Sequence, residues 1–149
     1  MTQAAFAADA AETVRLAAQI AAFITPGTCL ALHGDLGAGK TTVATAISAV
    51  FGYFEVSSPT FAYMNIYQGT LFPIYHMDLY RLEKLDAVEQ LELDEYFISD
   101  GLCLIEWPEN AGFLIPDAAW HLFISPKDDG RLLTLRSPLP LLPGWEPVP

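Results

Sequence analysis

The run Gly34-Asp35-Leu36-Gly37-Ala38-Gly39-Lys40-Thr41 constrains this chain more than any other feature. It fits G-x-x-x-x-G-K-[ST], the P-loop pattern. Residues 28–33 read as a short apolar strand before it, and residues 41–51 as a helix behind it, stopped by Gly52. The pattern has a physical basis. Backbone N–H groups that wrap a phosphate chain need glycine where the chain turns sharply and comes close. The following helix offers free N-terminal donors and the positive end of its dipole. Lys40 supplies a point charge to the terminal phosphates, and the Thr41 hydroxyl completes a Mg²⁺ shell. An ordinary Gly-rich strand–helix turn is the competing reading, and the flanking elements weigh against it.

The remaining elements fall around this loop. Asp9-Ala-Ala-Glu12 reads as a capping box with Asp for Ser or Thr, and Leu16, Ile20 and Phe23 recur at helical spacing, so a helix is predicted over 10–24. Pro26-Gly27 ends it. Residues 60–67 and 71–77, around Gln68-Gly69-Thr70, predict a β-hairpin. A second Asp-x-x-Glu start, Asp86 to Glu89, opens a helix over 85–98. Strands are expected at 102–105, 120–124 and 132–135, the last two around an Asp-Asp-Gly turn. The last thirteen residues hold five of the eleven prolines, which predicts an unfolded or extended tail over 137–149 after a domain at 1–136. With 149 residues, 52% of them hydrophobic, the chain can build one core. The fold class expected is α/β: a single P-loop NTPase-like domain, its sheet mixed but mostly parallel, flanked by helices and carrying a β-hairpin.

Charge and composition narrow the function. Seven Lys and Arg face 18 Asp and Glu, a formal charge of −11. Such a surface repels phosphate backbones, which argues against free-standing nucleic-acid binding but not against RNA contact inside a larger complex. Cys29 and Cys103 sit in apolar runs and read as buried strand thiols, without a disulfide or zinc pattern. The best apolar stretch, 16–24, is far short of a membrane span and contains Gln19. The first basic residue is Arg15, unlike a secretory signal, and the expectation is a soluble cytoplasmic protein.

A P-loop binds phosphate, and hydrolysis asks for an acid at the end of a neighbouring strand. Asp78 follows residues 72–77, and Glu106 follows 102–105. His76 and Asp78 share a strand face and could form a metal pair, but no third ligand is nearby. Ser57-Ser58-Pro59-Thr60 lies where P-loop switches place a Thr that reports the γ-phosphate, and a simple turn competes with that reading.

Val56-Ser57-Ser58-Pro59-Thr60-Phe61, His76-Met77-Asp78-Leu79-Tyr80-Arg81-Leu82 and Ile105-Glu106-Trp107-Pro108-Glu109 follow the P-loop in this order. Together they resemble the TsaE (YjeE) family, small ATPases of bacterial tRNA threonylcarbamoyladenosine biosynthesis, over roughly residues 9–136. The resemblance implies that Gly37, Ala38, Gly39, Lys40, Thr41 and Thr42 hold the phosphates of ATP. It implies Mg²⁺ on Thr41 and Glu106, and Asp78 near the γ-phosphate, orienting water or accepting its proton. Asp78 and Glu106 could exchange roles. Thr60 would belong to a first switch loop, with Trp107 and Glu109 in a second nucleotide-sensitive segment. The helix around Glu12 and Thr13 would approach the adenine, and Arg131 would lie near the nucleotide. The implied activity is a Mg²⁺-dependent ATPase, weak alone, that joins TsaB and TsaD and resets their complex for further turnovers. It would meet tRNA only through that complex, and no membrane or DNA.

Eight acids between residues 78 and 100 (Asp78, Glu83, Asp86, Glu89, Glu92, Asp94, Glu95, Asp100) face only Arg81 and Lys84. They read either as a partner surface or as a solvated acidic helix. A small-molecule kinase would need more basic residues to clamp its acceptor. A GTPase would need D-x-x-G and N-K-x-D, and neither occurs. A nucleotide-gated scaffold would not require Lys40, Thr41, Asp78 and Glu106 together.

Overall fold

The computed structural model describes residues 1–57, 63–82, 95–97 and 99–149. Among them, eight strands form one sheet: β1 (Thr2–Ala7), β2 (Cys29–His33), β3 (Met64–Gln68), β4 (Pro73–Asp78), β5 (Leu102–Glu106), β6 (Trp120–Lys127), β7 (Gly130–Arg136) and β8 (Glu146–Pro147). Their order is β3-β4-β5-β2-β6-β7-β1-β8. The middle four, β4, β5, β2 and β6, are parallel, and antiparallel strands flank them on both sides. The sheet is therefore mixed, with a parallel centre. β5 is buried along its whole length, its apolar run 102–105 as expected of a central parallel strand and the closing Glu106 with it. No helix of the described residues is long and apolar enough to cross a membrane.

Two helices, α1 (Ala10–Ala21) and α2 (Lys40–Val50), cover one face. Leu16, Ile20, Val43 and Ile47 pack there with Leu30, Leu32, Ile74, Leu104 and Leu122 in the larger core. On the other face a smaller cluster joins Met77, Leu79, Phe97, Cys103 and Ile105. Asp9 caps α1: its Oδ1 accepts from Glu12 N at 2.9 Å, and Glu12 Oε2 accepts from Ala8 N at 2.9 Å. The Asp9 half is the cap expected from the sequence, whereas Glu12 reaches past the Asp9 N–H of a capping box to the amide one residue before it. The helix stops at Ala21 rather than 24. Phe23 N and Ile24 N bond to Ile20 and Ala21 carbonyls, three residues back, and this tighter turn leaves Phe23 exposed and brings Ile24 into the core.

Strand β1 was not predicted. Its alternation is real, with Gln3, Ala5 and Ala7 buried, but alanine carries little strand signal. The Pro-rich end also departs from a free tail. It turns at Pro143-Gly144, pairs with β1 as β8 and lies on the core, with Leu139, Leu142 and Trp145 buried. Gln3 clamps it through Nε2 to Pro140 O (2.9 Å) and through Oε1, which accepts from Leu142 N (2.8 Å). Trp145 Nε1 donates to Gln19 Oε1 at 2.7 Å. The hairpin appears as β3 and β4, paired from Met64↔Met77 to Gln68↔Pro73. Residues 58–62, 83–94 and 98 lie outside the described residues. So do Thr60, most of the helix expected over 85–98 and most of the acidic run.

Candidate functional site

The parallel strands β2, β4, β5 and β6 end on one edge of the sheet, and the 34–39 loop leaves β2 there. This is where open α/β sheets bind ligands. Asp78 and Glu106, the last residues of β4 and β5, stand side by side in register. Gly39 opens α2 with a φ of 115° and no side-chain cap, so the first N–H groups of α2 point into the loop. Gly34 is required for a different reason. A Cβ there would lie 2.8 Å from the Ile124 carbonyl oxygen of β6 and 2.9 Å from Ala38 Cβ.

Lys40 is buried. Its Nζ donates to the Gly34 carbonyl and, at 2.9 Å, to that of Asp35. The Trp107 ring covers it, with Nζ 4.2 Å from the ring centroid. Burial lowers the Lys40 pKa, and the nearby carboxylates of Glu106, Glu109, Asp78 and Asp35 offset this only in part. Trp107 adopts a left-handed backbone, φ 56° and ψ 50°, and packs on Tyr80 at 4.9 Å between centroids. That conformation is uncommon for a bulky residue. It turns the chain directly after Glu106 into a 3₁₀ turn, Pro108–Asn110.

The Thr41 hydroxyl donates to Glu106 at 3.2 Å (Oε1) and 3.5 Å (Oε2). Glu106 is buried, and its Oε2 lies 2.6 Å from His76 Nε2. Asp78 is half-buried and its Oδ1 accepts from Tyr80 N at 3.0 Å. A cavity of about 290 Å³ is lined by Lys40, Thr41, Asp78, Glu106 and Trp107. Its donors are a hydroxyl and two carboxylates, the hard oxygens that suit Mg²⁺. Among the described residues no group of three or more His, Cys, Asp or Glu could hold a metal ion. An ion here would complete its shell from phosphate and water, as Mg²⁺ commonly does. His76 is not part of such a set. Both its ring nitrogens are engaged, Nε2 by Glu106 and Nδ1 by Tyr67, which corrects the His76–Asp78 metal pair considered from sequence.

A second cavity of about 300 Å³ adjoins the first and shares Gly37, Gly39 and Thr42 with it. It is walled by Ala7–Ala10, Thr13, Ala38 and the 129–131 turn. β1 is antiparallel to β7, and β7 to β6, so β1 ends on the same edge as the P-loop. Thr13 and Arg131 thus meet across this cavity, and Arg131 Nε donates to the Ala38 carbonyl at 3.2 Å. Glu109 stands apart from both cavities. It is exposed, with Oε2 3.9 Å from His33 Nδ1.

Sequence reasoning missed the His76–Tyr67 contact, the covering ring of Tyr80 and the contribution of Ala8, Asp9 and Asp129 to the second cavity. Two signals pointed that way: Asp9 as a cap ahead of α1, and the Asp-Asp-Gly turn at 128–130.

A family model described as threonylcarbamoyl adenosine biosynthesis protein TsaE matches residues 7–133. The chain is 42% identical over 125 residues to the tRNA threonylcarbamoyladenosine biosynthesis protein TsaE of Bacillus subtilis, covering 83% of this chain and 78% of that protein. It is 39% identical over 105 residues to the protein so named in Haemophilus influenzae, covering 70% and 66%. Its fold superposes on the crystal structure of Bacillus subtilis YdiB with a TM-score of 0.74 and 33% identity, covering 91% of this chain and 84% of that one.

Proposed function

The chain belongs to the TsaE family, and from that premise we propose that it is a Mg²⁺-dependent ATPase that serves tRNA threonylcarbamoyladenosine biosynthesis on the TsaB–TsaD pair. The family role in forming this tRNA modification is carried by the match along most of the chain. The ATPase reading rests on one observation: Lys40, Thr41, Asp78 and Glu106 line a single cavity at the carboxyl edge of the parallel strands.

Each residue then has one task. The N–H groups of the loop and of the first turn of α2 bind the phosphates. Lys40 exchanges its two loop carbonyls for phosphate oxygens. Thr41 and Glu106 would hold Mg²⁺, which supplies charge stabilisation to the phosphates when bound. Asp78 orients the attacking water and takes up its proton as the new oxygen–phosphorus bond forms and the β–γ bridge breaks, giving ADP and phosphate. The neighbouring cavity, between α1 and the 129–131 turn, receives the nucleoside. Slow turnover by the protein alone follows if a partner must complete the water-orienting shell.

The test is ATP hydrolysis by the purified protein, alone and with TsaB and TsaD, beside Lys40→Ala, Asp78→Ala and Glu106→Ala. The expected result is slow hydrolysis that rises with the pair. Lys40→Ala lowers ATP affinity, Asp78→Ala abolishes turnover, and Glu106→Ala chiefly harms the Mg²⁺-dependent step. Binding without hydrolysis in either condition would replace this reading with a nucleotide-gated scaffold.

A further inference from the structure

A buried hydrogen-bonded chain runs from the phosphate cavity to the backbone beyond α2. It passes from Thr41 to Glu106, to His76, to Tyr67 and ends on the Ser57 carbonyl. His76 and Tyr67 are both buried, His76 completely. The direction of each bond follows from donor counting. A carbonyl only accepts, so the single phenolic proton of Tyr67 goes to Ser57 O, 2.8 Å away. Tyr67 Oη must then accept from His76, which places a proton on His76 Nδ1 at 2.9 Å. The burial that raises the Tyr67 pKa keeps that phenol protonated. With Nδ1 committed to Tyr67, the 2.6 Å contact between Nε2 and the Glu106 carboxylate needs a second proton shared between those two atoms, and that bond leaves the carboxylate one orientation. In that orientation Glu106 meets the Thr41 hydroxyl.

Tyr67 is itself fixed. Tyr53 stacks on it at 4.4 Å between centroids and 10° between planes, and Asn65 Nδ2 donates to the same Ser57 carbonyl at 3.0 Å. The imidazole therefore sits on a rigid support. A ligand carboxylate held by a ring whose other nitrogen is tied down is a familiar way of tuning a metal site from behind.

We propose that His76 is a positioning residue for Glu106, with Tyr67 as its anchor: the imidazole aims the carboxylate at the Thr41 hydroxyl, where the two together receive Mg²⁺. The proposal rests on the metal reading of Thr41 and Glu106 given above. His76 is completely buried and does not line the cavity. It acts only through the carboxylate.

Two amide substitutions separate the halves of the ring. In His76→Gln an amide reaches the place of Nε2 and keeps a bond to Glu106, while the Tyr67 bond is lost. In His76→Asn the shorter amide takes the place of Nδ1, and Glu106 is left without its partner. Mg²⁺ is titrated into each protein in the presence of ATP, and binding is followed by calorimetry and by Trp107 emission. The expected result is a rise of about tenfold or more in the Mg²⁺ concentration for half-saturation in His76→Asn and about threefold or less in His76→Gln, with ATP affinity in EDTA unchanged in both. In the wild type, ¹⁵N-labelled imidazole shows a slowly exchanging Nδ1 proton, and Tyr67→Phe makes that proton exchange fast. Equal Mg²⁺ dependence in the wild type and both amide variants, whatever their melting temperatures, overturns the positioning role while leaving the ATPase reading intact. Wild-type binding that ignores Mg²⁺ overturns the metal reading and this proposal with it.

Discussion

Lys40 holds carbonyls of its own loop beneath the Trp107 ring, so an arriving phosphate competes with two hydrogen bonds and a cation–π contact. MgATP should draw the ammonium away from that ring. The expected outcome is a change in tryptophan emission on MgATP addition that disappears in Trp107→Phe, because Trp120 and Trp145 are buried in the core. Lys40→Ala should weaken ATP binding by about tenfold or more, ~1.4 kcal/mol, measured by calorimetry. At Gly34 the constraint is space. An added Cβ meets backbone of β6 at 2.8 Å, and backbone cannot swing aside as a side chain can. Gly34→Ala should cost about 1–3 kcal/mol in urea unfolding and also weaken nucleotide binding. At this scale the sequence was most informative, since a phosphate loop depends on residue types at fixed spacing.

Neighbouring strands bring together residues far apart in the chain. His33 ends β2, and its Nε2 lies 2.9 Å from Nδ1 of His121 on β6, with Phe123 stacked on the ring at 4.3 Å. One nitrogen of such a contact must donate and the other accept, which suits two neutral rings. Burial, then His121 and Arg136, push the His33 pKa down to about 4, despite Glu109 at 3.9 Å. Between that value and 6.5 the unfolded chain binds the extra proton, so stability rises with pH through this window and is lost as pH falls toward 4. The contribution is roughly 3 kcal/mol at most. Chemical denaturation from pH 4 to 7 should therefore give a flatter profile for His33→Gln than for the wild type. Helix and strand ends were less legible than their centres. The cap of α1 is written in Asp9 and Glu12, but its end depends on the tighter turn that exposes Phe23.

For the molecule as a whole, the C-terminal segment is the least expected feature. Trp145 and Leu142 lie against the α1–β1 side of the core, so Trp145→Ala should lower stability by about 3–5 kcal/mol. A melting curve and a MgATP titration together check this, and the proposed nucleotide binding should be unaffected in the folded variant. Proline content read from sequence describes a backbone that cannot join a helix or a sheet interior, and it says nothing of what that backbone can lie on. Gln3 and Gln19 supply the missing information, because their amides satisfy groups more than a hundred residues away. The sequence by itself determined the P-loop pattern, the helices and strands next to it and the two carboxylates at strand ends, since each is a local pattern of residue type and period, but not β1 or β8. Only the tertiary structure decided that Asp78 and Glu106 stand in register, that Thr13 meets Arg131 and that His76 turns toward Glu106 rather than toward a metal. Those facts depend on strand order and pairing, which are set by burial across the whole sheet and by contacts that no local pattern encodes.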